Sequence, residues 1–219
     1  MEDCLFVRLY DCQTQAERSE GIAAAIQAVR RGDLVVLPTD TVYGIGADAF
    51  TSHSVTALQR AKGRGRDKPP PVLIGSRKTL DGLVFSLSRT ARDLINAFWP
   101  GALTVVVEHA PSLNWDLGDS AGTVAVRMPL HPVALEVLRE TGPMAVSSAN
   151  RTGEPPAVTA EEARDQLGYS VSIYLESGRC PDPVPSTVVD LSGEAPRVLR
   201  EGAIPWEKLR EVAPDLLPA

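Results

Sequence analysis

Two short polar segments contain the side chains best suited to chemistry. Lys62-Gly63-Arg64 opens a basic loop that continues to Lys68, and Ser147-Ser148-Ala149-Asn150 follows a short apolar segment. Glycine lets a backbone bend closely around an anion, while lysine supplies a point charge and arginine a planar fork of donors. Hydroxyl and amide groups can hold phosphate or ribose oxygens. The two segments predict a site for a phosphorylated ligand, although each alone also fits a solvated loop or a capped turn.

A third polar segment, Pro38-Thr39-Asp40-Thr41-Val42-Tyr43, directly follows an apolar run at 34–37. It places two hydroxyls, a carboxylate and a phenol where α/β sheets present ligands, and turn chemistry explains it equally well. The adjacent Gly44-Ile45-Gly46-Ala47-Asp48-Ala49 matches the dinucleotide pattern, but these glycines do not form a strand-to-helix turn. We interpret them as residues that let two backbone segments approach closely.

Several familiar kinds of site are excluded by spacing. No GK[ST] follows the basic loop, and Ser147 and Ser148 lack the flanking glycines of a nucleophile elbow. The three histidines have no recognisable triad spacing: His53, His109 and His131. The three cysteines fit neither a disulfide framework nor a zinc site: Cys4, Cys12 and Cys180. Since no carboxylate cluster is apparent either, we predict no metal site built by the protein.

Composition limits the partners. The 219 residues carry a net charge of -6, with a pI near 5.1, which argues against a protein whose whole surface binds nucleic acid. Any nucleotide contact must therefore be local. The acidic start Met1-Glu2-Asp3-Cys4 differs from a signal peptide, and no apolar run reaches the length of a membrane span. We expect a cytoplasmic protein without a membrane partner.

Helical periods alternate with short apolar runs along the whole chain. The predicted helices span 16–31, 52–62 with Ser52 or Ser54 as the cap, 88–98, 131–140, 159–167 and 205–212. The predicted strands span 5–9, 34–37, 72–74, 103–107, 123–126, 144–146, 171–175, 187–191 and 197–199. This alternation predicts an α/β sheet layered with helices, and some strands are too close in sequence for helical crossovers, so the sheet should be mixed. We expect a single domain over 1–219.

Five segments are informative because of the order in which they occur along the chain. They are Pro38 to Gly44 (PTDTVYG), Lys62-x-Arg64, Trp99-Pro100-Gly101, Thr123 to Pro129 (TVAVRMP) and Ser148-Ala149-Asn150. In this order they resemble the successive motifs of the YrdC-type threonylcarbamoyl-AMP synthases, and the resemblance runs from about residue 20 to about residue 203. It implies a twisted open sheet of mixed parallel and antiparallel strands with flanking helices, around a concave ligand cavity.

The resemblance also implies an activity. Members of this family condense L-threonine, bicarbonate or CO2, and ATP into L-threonylcarbamoyladenylate, releasing pyrophosphate. A separate transferase complex then moves the threonylcarbamoyl group to the tRNA adenosine beside the anticodon. ATP would thus be a substrate, and Mg2+ would arrive bound to its phosphates.

Site residues follow from the same resemblance. Lys62 and Arg64 would contact the ATP phosphates as the catalytic pair. The other implied nucleotide contacts are Thr123, Ser148, Asn150 and Arg200. The implied threonine contacts are Thr39, Arg127 and Ser186, with Arg127 pairing the threonine carboxylate. Simpler interpretations stay open for two of these residues, namely an ion pair at a strand end for Arg127 and a turn hydroxyl for Ser186.

The chain departs from the family pattern at three points. Leu73 stands where some relatives have a histidine near the threonine, Glu201 replaces a usual proline, and the chain ends at Ala219 as in the family's short form. Two other functions remain as alternatives. One is a carbamoyl-adenylate-forming module of a carbamoyltransferase. The other is a non-catalytic module that binds tRNA or double-stranded RNA through the cluster at 62–68, against which the acidic total weighs.

Overall fold

A computed structural model describes residues 7–219 and contains one ten-stranded sheet. The strands are β1 Arg8–Asp11, β2 Val35–Leu37, β3 Gly44–Asp48, β4 Val72–Leu73, β5 Leu103–Glu108, β6 Thr123–Arg127, β7 Met144–Ser148, β8 Ile173–Glu176, β9 Thr187–Asp190 and β10 Arg197–Arg200. The helices are α1 Gln15–Arg31, α2 Ser52–Lys62, α3 Arg77–Asp81, α4 Arg89–Phe98, α5 Pro132–Thr141, α6 Ala160–Leu167 and α7 Trp206–Val212. A short 3-10 helix spans Gly168–Ser170.

The sheet is mixed, which confirms the predicted fold class. Its strand order is β1-β8-β2-β3-β7-β4-β6-β5-β9-β10. The pairs β1–β8, β2–β8, β4–β6 and β5–β9 are parallel, and the other neighbouring pairs are antiparallel. The segment from Pro38 to Tyr43 joins the antiparallel strands β2 and β3, so this third polar segment lies at one end of the central strands.

Helices cover both faces of the sheet. On β2, Val35 packs in a cluster with residues of α1 and α5, whereas the next residue, Val36, packs in a cluster with residues of α2 and α6. Successive residues of a strand point to opposite faces, so β2 is buried on both sides, as its wholly apolar sequence predicts. A third cluster joins α4 and α7 to β5 and β9, which extends the core to the other half of the sheet.

Local signals locate several helix ends correctly. Gly32 ends α1 in the left-handed region with φ of 89°. Ser88 and Thr159 cap α4 and α6, since their hydroxyls accept from the amides of Ala91 and Glu162. The prediction for α2 needs correction because its N-cap is Thr51, and Ser54 instead donates its hydroxyl to the Gly32 carbonyl. The five-residue α3 was not predicted.

Strand β3 was not predicted either, and its composition explains why. Glycine has low strand propensity, yet Gly44 and Gly46 lie within this strand. A Cβ atom on Gly44 would lie 2.7 Å from Cγ1 of Val146, and one on Gly46 would lie 2.8 Å from Cε of Met144. The interpretation of these glycines as sites of close approach is therefore confirmed, and the approaching segment is β7.

Two predicted strand boundaries differ from the structure. Strand β7 extends through Ser148, so both serines belong to the strand instead of following it. Ser147 lies opposite Ile45 and Ser148 lies opposite Gly44. The predicted strand at 5–9 begins in residues outside those described, and β1 spans Arg8–Asp11. Within residues 7–219, no helix is both long and apolar enough to cross a membrane.

Candidate functional site

A cavity of about 270 Å³ lies where the polar segments meet. Six of the nine predicted site residues line it: Thr39, Arg64, Arg127, Ser148, Ser186 and Arg200. The described residues around this cavity include no Asp or Glu side chain. Three guanidinium groups thus surround one small space in a protein whose net charge is -6, and such a space suits an anion.

Arg127 is the last residue of β6 and is buried beneath the cavity. Its Nη2 donates to Oδ1 of Asp40 over 2.6 Å, its Nη1 to Oγ1 of Thr41 over 2.9 Å, and its Nε to the Gly101 carbonyl over 2.9 Å. The interpretation as an ion pair at a strand end is therefore confirmed. A guanidinium has five N–H donors, so one on each terminal nitrogen has no acceptor among residues 7–219. These two donors can still bind a carboxylate.

Arg64 and Arg200 form the charged wall of the cavity. Arg200 donates from Nη2 to the Ser186 carbonyl over 2.6 Å, and Arg64 donates from Nη1 to the Ser147 hydroxyl over 3.3 Å. Within residues 7–219, neither guanidinium forms an ion pair with a carboxylate. Burial lowers the pKa of Arg200, and the nearby charge of Arg64 lowers it further. Two unneutralised cations at close range favour a polyvalent anion such as a phosphate chain.

Lys62, the last residue of α2, has only 1 % of its surface exposed. Its Nζ donates to the Ser148 carbonyl, to the Asn150 carbonyl over 2.7 Å, and to Oδ1 of Asn150 over 3.3 Å. Burial lowers the pKa of Lys62 to about 7, with the charge of Arg64 as the second cause. The amine thus faces the backbone of the turn after β7 and does not line the cavity.

Asn150 lies in the same network behind the cavity wall. Its Nδ2 donates to the carbonyls of Arg151 over 2.9 Å and Glu154 over 2.7 Å. The structure therefore brings Lys62 and Asn150 to each other and not to the surface of the cavity. Their contacts with ATP remain predictions from the family resemblance.

Thr123 lies in a second cavity, of about 210 Å³, which Pro69, Pro70 and Leu117 also line. Its hydroxyl donates to the Ser120 carbonyl over 2.8 Å. Thr123 and Arg127 occupy the first and last positions of β6, four residues apart, so their side chains share one face and lie roughly 13 Å apart. Because Pro71 lines the first cavity and Pro70 the second, the two cavities adjoin along this face.

Three of the serine and threonine residues that line the cavity were not predicted as site residues: Thr41, Ser147 and Thr104. Thr41 and Ser147 belong to the recognised polar segments, so their hydroxyls could have been included. Thr104 lies in the apolar strand β5, where its only signal is a hydroxyl among branched aliphatic residues. Its Oγ1 lies 2.8 Å from Oγ of Ser186, and only the pairing of β5 with β9 reveals this contact.

The departures from the family pattern have visible structural consequences. Leu73 lines the cavity with an apolar side chain, and Oε1 of Glu201 accepts from the amide of Trp206 at the start of α7 over 3.0 Å.

In the basic loop, Arg66 forms a two-pronged ion pair with Asp116, over 2.9 and 2.7 Å. Arg66 thus joins two loops, and its guanidinium is already neutralised.

The protein-family comparison agrees with the site. The Sua5/YciO/YrdC family model, described as "Telomere recombination", matches residues 27–202. The chain belongs to the Sua5/YciO/YrdC family. This match confirms the family predicted from the order of the five motifs.

Within residues 7–219, no group of three or more His, Cys, Asp or Glu side chains could hold a metal ion.

Named relatives within the family carry the name of one enzyme activity. A Mycobacterium tuberculosis protein named "Putative threonylcarbamoyl-AMP synthase" is 60% identical over 203 residues, which cover 93% of this chain and 94% of that protein. The Bacillus subtilis protein named "Threonylcarbamoyl-AMP synthase" is 37% identical over 193 residues, covering 87% of this chain and 56% of that protein. This chain thus matches the M. tuberculosis relative over nearly its whole length.

Solved structures of the family share the fold. Pyrococcus abyssi Sua5 in complex with L-threonine has a TM-score of 0.89 and 31% identity, covering 98% of this chain and 62% of that one. Escherichia coli YciO has a TM-score of 0.79 and 24% identity, covering 93% of this chain and 98% of that one. The second likeness concerns the fold alone.

Proposed function

We propose that this protein is a threonylcarbamoyl-AMP synthase, which condenses L-threonine, bicarbonate or CO2, and ATP into L-threonylcarbamoyladenylate and pyrophosphate. One observation carries the proposal: Arg64, Arg127 and Arg200 surround a cavity whose described lining residues offer hydroxyls and no carboxylate. The chain that forms this cavity is 60% identical to a protein named "Putative threonylcarbamoyl-AMP synthase". Threonine carries a carboxylate and ATP carries a triphosphate, and both of these groups are anionic. A cavity of this charge suits them.

Threonine would occupy the end of the cavity at Arg127. The two N–H donors that have no acceptor within residues 7–219 would bind its carboxylate, since a guanidinium pairs with a carboxylate through two parallel hydrogen bonds. Thr39 and Thr41 border this end, and the Thr104–Ser186 pair offers hydroxyls to the substrate side chain. The L-threonine complex of P. abyssi Sua5 supports a threonine site in this fold.

ATP would occupy the end of the cavity at Arg64 and Arg200. The two guanidinium groups lack carboxylate partners within residues 7–219, so they are free to neutralise phosphates, with Ser148 beside them. The nucleoside would extend along β6 into the second cavity, where Thr123 lies roughly 13 Å from Arg127. Mg2+ would enter bound to the phosphates and share in neutralising them, since this lining has no carboxylate to hold an ion separately.

The reaction then needs positioning more than side-chain chemistry. The neutral amine of threonine forms an N–C bond with CO2 and releases a proton to solvent, which gives a carbamate. A carbamate oxygen then forms a bond to the α-phosphorus as the bond between that phosphorus and the oxygen bridging to the β-phosphorus breaks. Pyrophosphate carries away the bonding electron pair. Arg127 would hold the carbamate in line, while Arg64 and Arg200 would offset the negative charge of the phosphates as they separate.

The product is a mixed anhydride that must be consumed by an acyl transfer. A transferase complex that modifies the tRNA adenosine beside the anticodon would accept it, which would place the protein in the cytoplasm. Direct contact with tRNA remains a prediction based on the local basic cluster at 62–68.

A single assay tests the proposal. The purified protein is incubated with ATP, bicarbonate and labelled threonine. The products are then separated, and threonine-linked AMP and pyrophosphate are quantified. We expect both products, in equal amounts, only when threonine is present. Pyrophosphate release at the same rate with and without threonine would contradict the proposal. Adenylate formed from carbamoyl phosphate would favour a carbamoyltransferase module, and RNA binding without turnover would favour a binding module.

A further inference from the structure

We propose that Lys62 is a positioning residue of the synthase site, which holds the turn after β7 in place and does not itself contact ATP. The inference rests on the proposed function, and it reassigns the residue whose type and motif suggest a phosphate contact. The amine of Lys62 points away from the cavity and is buried against backbone oxygens behind the cavity wall.

Three acceptors occupy the Lys62 amine. They are the carbonyls of Ser148 and Asn150 and the Oδ1 atom of Asn150, so every proton that an ammonium carries has an oxygen within the protein. The amide nitrogen of Asn150 in turn donates to the carbonyls of Arg151 and Glu154. Lys62 and Asn150 thus form one hydrogen-bonded unit that fixes the turn from 148 to 154.

A second set of contacts links this unit to the cavity. The amide of Thr152 donates to the Lys62 carbonyl over 2.9 Å. Gly63 then ends α2 in the left-handed region, with φ of 66°, and the chain continues into Arg64. Arg64 donates to the hydroxyls of Thr152 and Ser147, both over 3.3 Å. Lys62 therefore supports the cavity wall from the side away from the cavity, while Arg64 and Ser147 lie on the side that lines it.

The buried Lys62 amine has backbone and amide oxygens as its acceptors and no carboxylate partner within the described part of the chain. Without this amine the Ser148 carbonyl keeps the amide of Asn150 over 2.9 Å, but the Asn150 carbonyl has no other donor within residues 7–219. A buried carbonyl without a donor is unfavourable, so the turn would shift to recover hydrogen bonds. Ser147 and Ser148 would shift with it, and both line the cavity beside Thr39 and Arg127. The loss of Lys62 should therefore disturb the threonine end of the cavity as well as the phosphate end.

The test is binding of each substrate alone to Lys62→Met, which keeps the volume and removes the donors. We expect threonine affinity, measured by calorimetry without nucleotide, to fall roughly tenfold, with a similar fall for ATP. A phosphate ligand would behave differently, because its loss would weaken ATP binding and leave threonine binding without nucleotide unchanged. That second result would overturn the inference. Lys78→Met, on the exposed surface of α3, is the matched control and should change neither affinity.

Two further variants keep the inference testable if Lys62→Met does not fold. Lys62→Gln retains an uncharged N–H donor and should restore part of both affinities, whereas a residue needed for its charge would gain nothing. Asn150→Ala should weaken threonine binding, and combined with Lys62→Gln it should add little, because both act on one turn. Full additivity would contradict the inference. Turnover by the unaltered protein tests the proposed function separately, so the two ideas can fail independently.

Discussion

Arg127 and Asp40 form an ion pair at the base of the cavity, with 2.6 Å between Nη2 and Oδ1. The same Oδ1 accepts from the amide of Leu130 over 2.8 Å. The side chains are only 7 % and 15 % exposed. One carboxylate thus ties the end of β6 to the segment after β2, and it fixes the plane of the guanidinium so that the unused donors remain available to a ligand.

Removing Asp40 should weaken both the fold and the site. A buried charge that loses its partner typically costs about 3 kcal/mol or more, so Asp40→Ala should lower the free energy of unfolding in urea by about 3 kcal/mol. Threonine affinity should fall as well, because Arg127 loses its orientation. Arg18→Ala, which removes an exposed ion pair with Glu136, should cost less than about 1 kcal/mol. Equal effects of the two variants would contradict this account.

Arg200 should matter for ATP and much less for threonine alone. A hydrogen bond to a charged group contributes about 1.5 to 3 kcal/mol, so Arg200→Ala should weaken ATP binding roughly 10- to 100-fold. The control is Arg197→Ala, an exposed arginine on the same strand that does not line the cavity. Fluorescence titration with an ATP analogue measures both variants. If they bind the analogue equally well, Arg200 has no place in the phosphate site.

Lys62 should make stability depend on pH. Its pKa is about 7 in the folded protein, against 10.5 for an unperturbed lysine, so between these values the unfolded chain binds more protons and stability rises with pH. The rise should reach at most about 1.4 kcal/mol per pH unit. Urea unfolding from about pH 7 to about pH 8 measures this rise. At higher pH the thiols of the unfolded chain ionise, whereas burial raises the pKa of Cys12 in the folded protein from 9.0 to about 11, so this thiol then makes the free energy of unfolding fall with pH.

The matched pair for this pH effect is again Lys62→Met and Lys78→Met. The first variant should lose the rise in unfolding free energy between about pH 7 and about pH 8, and the second should keep it. A rise that survives in Lys62→Met would have to come from another group.

The two glycines of β3 should respond differently to alanine. At Gly44 the new Cβ would meet Cγ1 of the β-branched Val146, which has little freedom to move, so Gly44→Ala should cost about 2 kcal/mol. At Gly46 the nearest atom is the terminal methyl of Met144, which can shift, so Gly46→Ala should cost about 1 kcal/mol or less. Thermal unfolding compares the two variants. A greater loss for Gly46→Ala would show that Met144 is the more constrained neighbour.

Periodic segments with clear caps were predictable, and segments with weak intrinsic preference were not. The apolar period of α1 and its Gly32 stop suffice for that helix, as does the Ser88 cap for α4. Strand β3 consists of two glycines, an alanine, an aspartate and a single β-branched residue, so its strand state depends on pairing with β2 and β7. Pairing between segments about a hundred residues apart leaves no local signal.

The candidate site shows the same division. The motif order along the chain predicted the family, which the family model confirms, and nine site residues, of which six line one cavity. The tertiary structure alone decided the direction of each side chain. It turned Lys62 away from the cavity, paired Arg127 with Asp40, and separated Thr123 from the arginine cavity along one strand. Such directions depend on which distant backbone oxygens and carboxylates the fold places within about 3 Å of a donor, and that distance is a property of packing.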